Sequence, residues 1–190
     1  MGSWGATTAD EAKPKYLTAT QKESVYATDA GWTQPAQGIS AARRTAGAKR
    51  EVLVAIRGLG TAADKLAEAS ISSFRFITTS LSEASSEEMS VNVSWNERVT
   101  VTGTPKVTVS GPATGPIELE YASGTTTNNL VFTGELVGGG NFAETDELVI
   151  GADAIDLNSG TIKDTVSTNN ADIENTEAIG GTAGTLIVAA

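Results

Sequence analysis

The residues best suited to chemistry in this chain are carboxylates, which cluster in the segment DLNSGTIKD that begins at Asp156. Acidic side chains at such short spacing are typical of calcium-binding loops, where carboxylate oxygens surround the cation. The EF-hand form of that loop requires glycine at position six and glutamate at position twelve, but Thr161 and Ser167 stand there. A solvated turn is the preferred interpretation, and the alternative is a looser calcium site built from Asp153, Asp156 or Asp164.

Neither cysteine nor histidine occurs anywhere in the sequence. Disulfides, zinc–thiolate sites and thiol nucleophiles are therefore excluded, and a Ser-His-Asp triad cannot be built. Catalysis by carboxylates or lysine stays possible, although the usual general base near neutral pH is missing. The glycines within residues 57–60 lack the lysine of a phosphate-binding loop, and no helical pattern follows those at 138–140. We therefore expect a protein with no catalytic residue, no metal and no other cofactor.

Charge is distributed unevenly along the chain. The net charge is −10, and it divides into +3 over residues 1–75 and −13 over residues 76–190. Such asymmetry indicates two surfaces with different partners, and the acidic part argues against nucleic acid because phosphates would be repelled. No apolar run reaches the length of a membrane span, and the first residues lack a signal-peptide pattern, so synthesis in the cytoplasm is expected.

The first fifty residues are poor in large aliphatic side chains, which are limited to Leu17, Val25 and Ile39. Burial of so little apolar surface does not offset the cost of ordering the backbone, about 1–2 kcal/mol per residue. We therefore expect that this segment does not fold alone and that another surface orders it. Two readings remain open: an extended arm that docks on a partner, and a segment folded back on its own domain. Four aromatic side chains would anchor either arrangement: Trp4, Tyr16, Tyr26 and Trp32.

Local signals within residues 1–69 nevertheless predict short elements. Two capping boxes, in the segments TADE and TQKE, predict helical turns at 9–12 and 21–28. Alternating apolar residues predict a strand in the segment REVLVAIRG, residues 50–58. An alanine-rich stretch at 61–70 is a candidate short helix, so that residues 1–69 are predicted to be an extended N-terminal arm and connector.

From residue 70 to residue 190, short alternating segments recur with a turn signal about every ten residues, which is typical of an all-β domain. Met89, Val91, Val93 and Trp95 are predicted to point inward together, and Glu118 and Glu120 to point outward. The last apolar segment, 184–190, is predicted to pair in a sheet. The stretch WNERVTVTGTPKVTV, residues 95–109, reads as a hairpin around a Gly-Thr-Pro turn. The predicted fold is therefore mainly β: a C-terminal Ig-like β-sandwich preceded by the extended arm with short helical turns. A small barrel is the alternative.

Residues 75–173 resemble a bacterial Ig-like repeat family. The matching segments are VSWNERVTVTGTPKVTV, IELEYASGTTTNNLVFTGEL and AIDLNSGTIKDTVSTNNADI. The chain departs from the family pattern at Gly134-Glu135, where an aromatic strand residue is usual, and in the loop VGGGNFAETD. Positions that carry the match are Asn96, Glu97, Val99, Val101, Thr102 to Pro105, Tyr121, Ser123, Gly124, Leu130, Phe132, Leu157, Asn158, Gly160 to Ile162 and Asp164.

The N-terminal part is similar to the starts of small structural proteins of tailed phages, notably those of marine cyanobacteria. The segments that carry this likeness are WGATTADEAKPKYLTATQKESVYATDAGWTQ and EVLVAIRGL. Members of that group are virion proteins, and several decorate the capsid exterior. The resemblance implies a capsid decoration (cement) protein, located on the virion exterior, with the major capsid protein and neighbouring copies of itself as partners.

In that role the arm would place its aromatic side chains in successive pockets, and its basic clusters would meet an acidic shell surface. The strand at 51–57 would either extend a neighbour's sheet or pad the underside of its own domain. Two alternatives are a tail or baseplate component and a module that binds host-surface glycan through Asn128, Asn129, Asn141 and Phe142. The residues expected to bind the capsid are Trp4, Lys13, Lys15, Tyr16, Leu17, Tyr26, Trp32, Arg43, Arg44, Lys49 and Arg50.

Overall fold

The structure is a computed structural model that describes most of the chain. The described residues are 13–14, 16–35, 50–61, 66, 68–82, 86–112, 115–136 and 142–189. The predicted helical turn at 9–12 lies outside them, as does half of the candidate helix at 61–70. The division of the chain at residues 69 and 70 stays a prediction.

The fold is mainly β with antiparallel sheets, as the alternating apolar pattern predicted. Within the described residues, no helix is long and apolar enough to cross a membrane. In the part of the chain that the structure describes, two short helices and a 3-10 turn accompany the strands: α1 (Ala19–Ser24), α2 (Glu177–Gly180) and the turn Gly181–Ala183. The strands are β1 (Tyr26–Thr28), β2 (Gly31–Pro35), β3 (Arg50–Ala55), β4 (Ile71–Phe76), β5 (Leu81–Ser82), β6 (Glu87–Thr102), β7 (Lys106–Val109), β8 (Ile117–Ser123), β9 (Thr127–Leu136), β10 (Glu147–Leu148), β11 (Ile155–Asp156), β12 (Thr161–Asp164) and β13 (Leu186–Ala189).

Strand β6 is the organising element of the largest sheet, whose order is β11-β7-β8-β9-β6-β12 with β4 also paired to β6. Its first half pairs with β4 on one side and with β9 on the other. Its second half, from Val99 to Thr102, pairs with β12. The inward residues Met89, Val91, Val93 and Trp95 are fully buried, which confirms the predicted face of this strand.

The predicted hairpin within residues 95–109 is wrong. Strand β6 runs straight through the first half of that stretch, and β7 pairs with β8 and β11 rather than with β6. The Gly-Thr-Pro segment is a corner that packs against the loop between β11 and β12. The Asn158 side-chain amide donates to the Thr104 carbonyl oxygen at 3.1 Å, and Gly103 has φ +78° beside Gly160. Two segments of the family-like pattern therefore meet at this corner.

A single main core unites the large sheet with a small sheet of order β10-β13-β5. Leu119 and Phe132 enter the core from the large sheet, and Leu148 and Val188 enter it from the small one. The outward residues Glu118 and Glu120 of β8 are exposed, as their alternation with apolar residues predicted. Strand β13 pairs with β10 and, in parallel, with β5, which confirms that the last apolar segment lies in a sheet.

A second, smaller core lies in the N-terminal unit, by which we mean residues 16–35 and 50–61. Strands β1, β2 and β3 form an antiparallel sheet in that order. The buried residues of this core are Val25, Ala27, Trp32, Ile56 and Leu59, and Leu17, Leu53 and Val54 pack against them. Apolar side chains from residues 53–59 thus complete a core for which the segment before residue 36 has too few apolar residues.

Helix α1 begins at a capping box formed by Thr18 and Gln21. The Thr18 hydroxyl accepts from the Gln21 backbone N–H at 3.2 Å, and the Gln21 side chain accepts from the Thr18 backbone N–H at 2.9 Å. The helix therefore begins two residues before the predicted turn at 21–28 and ends at Ser24. The reason is that the capping box uses Gln21, since glutamine at the third helical position serves this motif as well as glutamate does. The chain leaves the helix at Val25 and enters β1 directly.

The N-terminal unit covers a polar patch on the outer face of β6 and β9. Asn92 and Ser94 alternate with the inward valines and would be solvated in an uncovered sheet, yet both are buried. Their side chains bond to Asn129, and the amides of Asn128 and Asn129 donate to the Glu23 carbonyl oxygen at 3.1 and 3.3 Å. The prediction of an extended arm therefore does not hold for residues 16–35, which the chain's own sheet and second core order.

A prediction follows from the corner between β6 and β12. A Cβ on Gly160 would lie 2.5 Å from the Thr102 carbonyl oxygen, which is backbone and cannot move aside cheaply. We expect Gly160→Ala to lower the free energy of unfolding by about 1–3 kcal/mol, as overpacking does. The control is Gly181→Ala, where nothing lies within 4 Å of the added Cβ and the helical backbone favours alanine. Equal urea midpoints for the two variants would show that the corner is not tightly packed.

Candidate functional site

Residues predicted to bind the capsid are only partly described. Trp4, Lys15, Arg43, Arg44 and Lys49 lie outside the described residues. The remaining six are Lys13, Tyr16, Leu17, Tyr26, Trp32 and Arg50.

Lys13 serves the chain's own packing rather than an external surface. Its ammonium donates to the Ser72 hydroxyl at 2.9 Å and to the Lys22 carbonyl oxygen at 3.1 Å. It also lies 6.0 Å from the centre of the Trp32 ring, within reach of a cation–π contact. Burial, and after it the charge of Lys22, lower the pKa of Lys13 from 10.5 to about 8. The positive charge of Lys13, which was predicted to contact the capsid, instead fixes the N-terminal segment to β4.

Most of the predicted aromatic anchors are internal. Trp32 is 2% exposed within the second core, Tyr26 is buried in β1, and Leu17 is partly buried against that core. Tyr16, by contrast, is 70% exposed, and Arg50 is exposed at the start of β3. Of the six described candidates, therefore, only Tyr16 and Arg50 present their side chains on the surface.

Because the predicted aromatic anchors are mostly internal, the candidate site is instead the outer edge of β3. Among the described strands, β3 pairs with β2 alone, so its other edge has free backbone donors and acceptors. Val52, at the middle of the strand, is 47% exposed. An exposed strand edge with apolar side chains is the usual acceptor for an added strand from another protein.

Strand β4 has the same length as β3, but its free edge is occupied. The Thr182 hydroxyl accepts from the Phe74 backbone N–H at 2.8 Å and lies 3.2 Å from the Phe74 carbonyl oxygen. A side chain of the same protein thereby takes the place of a neighbouring strand. Strands β5, β10 and β11 have only two residues each, which offers little to a partner. Strand β3 is thus the longest described strand whose edge is not occupied in this way.

A pocket of about 310 Å³ adjoins the start of β3, between the N-terminal unit and the large sheet. We call it the junction pocket. Its lining residues include two arginines, Arg50 and Arg98, and one aspartate, Asp29. The remaining lining residues are Ala27, Thr28, Thr61, Glu97 and Val166.

Glu97 and Asp164 form a buried carboxyl pair beside the junction pocket. They are 3% and 2% exposed, and their side chains share a hydrogen bond. Burial, followed by the charge of Asp164 and that hydrogen bond, raises the pKa of Glu97 from 4.5 to about 8. Asp164 also accepts the backbone N–H groups of Val166 and Ser167 at 2.6 Å. Glu97 is therefore the member of the pair that holds a proton at neutral pH.

The sequence contains a signal for the Glu97–Asp164 pair, namely that both residues stand in the family-like motifs. Asp164, however, was considered only as a calcium ligand together with Asp153 and Asp156. Those two are exposed, whereas Asp164 is buried. Within the described residues, no three histidine, cysteine or acidic side chains are placed to hold a metal ion.

The residues considered for glycan binding are largely internal. Asn128 is 5% exposed and Phe142 is fully buried, while Asn129 bonds to Asn92 and Ser94. Asn141 lies outside the described residues. The predicted loop site therefore loses Phe142 and the amides of Asn128 and Asn129, because the fold uses them inside the protein.

Comparisons with known proteins give no match for this chain. No protein-family model matches the chain, no curated protein matches it, and no solved structure matches it.

The carboxyl pair predicts a pH dependence of stability. A Glu97 pKa near 8 in the folded protein and 4.5 in the unfolded chain means that folding takes up a proton between those values. The stabilisation is complete below pH 4.5 and is lost as pH rises through 8, with a slope approaching about 1.4 kcal/mol per pH unit.

We expect Glu97→Gln to flatten this dependence, because the amide stays neutral and still donates to Asp164. Urea unfolding at several pH values from 5 to 8 measures it. The matched control is Glu135→Gln, which makes the same change at an exposed position of β9. If the two variants keep the same pH slope as the parent protein, Glu97 does not carry the proton.

Proposed function

We propose that the protein is a non-enzymatic structural protein of a virion, a capsid decoration protein that binds the outer surface of the major capsid protein shell and stabilises it. The likeness of residues 4–32 and 51–59 to phage structural proteins supports the class. The observation that carries the binding mode is the open edge of β3. Its backbone groups need partners that another protein's strand would supply.

As part of this proposal, residues 70–190 are an Ig-like β-sandwich. Three features support it: the mainly antiparallel sheets, one core that receives side chains from the large and the small sheet, and a sixteen-residue β6 that changes partners halfway. A strand that pairs with different neighbours in its two halves allows a sheet to fold over its own core. The corner at Gly103 and Gly160 lies just beyond the end of its second half, where β6 is paired with β12.

The proposed attachment differs from the extended arm in its physical basis. Residues 16–35 hold β3 in place from within the chain, so the docking strand is ordered before it meets the shell. A preordered strand loses less conformational entropy on binding than a flexible segment does. The acidic part of the chain would face outward and keep particles apart through repulsion between like charges. Neighbouring copies on the shell would each contribute one such strand contact.

A charge substitution in β3 tests this attachment. Val52→Lys places a solvated ammonium on the docking strand, a change that opposes strand pairing. We expect at least tenfold weaker binding to purified capsids that lack the protein, measured by co-sedimentation over a range of concentrations. The control is Ile187→Lys in β13, where an apolar side chain that is 60% exposed receives the same charge.

Binding of the Val52→Lys variant with the parent affinity would overturn the β3 attachment. Electron cryo-microscopy of the labelled particle tests the location independently. Density on the shell is the expected result, and density confined to the tail or baseplate would contradict the capsid role while leaving the strand mechanism open to test there.

A further inference from the structure

The junction pocket combines two arginines with little opposing charge. Within the described residues, neither Arg50 nor Arg98 forms an ion pair. Asp29 is the lining carboxylate that opposes them, because Glu97 is held neutral below about pH 8. The pocket is therefore a positive site on a chain whose net charge is −10, and an anionic group is the ligand it favours.

Glu97 adds a second requirement for the ligand. Its Oε2 atom is buried and has no hydrogen-bond partner, while the carboxyl group bonds to Asp164 through its shared proton. An orphaned buried acceptor is costly unless a donor reaches it. A ligand that satisfies the whole pocket thus carries an anionic group for the guanidiniums and an N–H or hydroxyl donor for Glu97, directly or through a water.

The position of Arg50 connects the pocket to the docking strand. Arg50 is the first residue of β3 and also lines the pocket. Ala27 and Thr28 also line the pocket but lie on β1, which β2 separates from β3, so the pocket is not confined to the open edge of β3. An extended polypeptide offers backbone N–H donors along its whole length, and an acidic residue within it offers the carboxylate. At about 310 Å³ the pocket is at the small end of ligand sites and has room for an acidic side chain.

We propose that the junction pocket receives an aspartate or glutamate side chain from an extended partner segment that passes Arg50 at the start of β3. This inference rests on the proposed function for the identity of the partner, an acidic segment of the shell surface. The pocket chemistry itself does not require the shell. The carboxylate would bind Arg50 and Arg98, and the segment backbone would supply the donor for Glu97.

The test uses the full protein and a capped heptapeptide of alternating threonine and glutamate as the probe. Binding is followed by NMR through the arginine side-chain N–H signals and by titration calorimetry. We expect saturable binding that weakens at least fivefold in Arg98→Gln and in Arg50→Gln. The control is Lys163→Gln, which removes one positive charge from an exposed position of β12, outside the pocket. A peptide with glutamine in place of glutamate should bind at least fivefold more weakly.

Three outcomes would overturn the inference. Equal weakening in Lys163→Gln and Arg98→Gln would mean that only net charge matters. Equal affinity for the glutamine peptide would mean that the pocket does not recognise a carboxylate. Tighter binding of inorganic phosphate than of the peptide, at the same arginines, would identify a phosphate site instead.

These results separate the inference from the proposed function. If the peptide fails to bind while the Val52→Lys variant loses capsid binding, the pocket assignment fails and the strand attachment stands. If the peptide binds through both arginines but the parent protein does not bind capsids, the pocket stands and the shell is not its partner.

Discussion

The structure depends on the cover that the N-terminal unit places over a polar patch of its own sheet. Asn92 and Ser94 sit on the outer face of β6, and without a cover they would be ordinary solvated residues. With the cover in place they are buried, so every amide and hydroxyl there must find a partner. The Glu23 carbonyl oxygen accepts from Asn128 and Asn129, and this ties helix α1 to β9. These hydrogen bonds and the small second core together hold residues 16–35 in place. That segment has too few apolar side chains to fold by itself.

That cover also creates the surfaces on which function is proposed. By fixing β1 against β6, it holds β3, through β2, with one edge open and lets Arg50 and Arg98 line one pocket. It also closes over Glu97, whose Oε1 atom lies 2.8 Å from where a Cβ on Gly60 would stand. A side chain at residue 60 would therefore collide with the carboxyl pair. The docking edge, the junction pocket and the proton on Glu97 are three consequences of one packing arrangement.

The sequence predicted the elements whose determinants are local. Period-two alternation identified the inward face of β6 and the exposed glutamates of β8, because side chains on a strand point to opposite faces in turn. It did not predict how β6 and β7 pair, since a Gly-Thr-Pro segment suits a hairpin and a corner equally well, and the choice depends on β12, about sixty residues later. The sequence predicts Trp32 as a contact for another protein because the segment before residue 36 lacks the apolar residues that 53–59 supply. It predicts Lys13 as one because the internal partner of Lys13 lies far along the chain. Ser72, for example, is 59 residues from Lys13.

The most direct test of this account is hydrogen–deuterium exchange on the isolated monomer, resolved by residue. The account predicts that the paired backbone amides of β1 and of residues 31–33 in β2 exchange many times more slowly than those of an unfolded chain, because these strands are buried and paired without any partner protein. Exchange of these amides at the rate of an unstructured peptide, while β6 remains protected, would contradict it. The N-terminal segment would then be an arm that only a foreign surface orders.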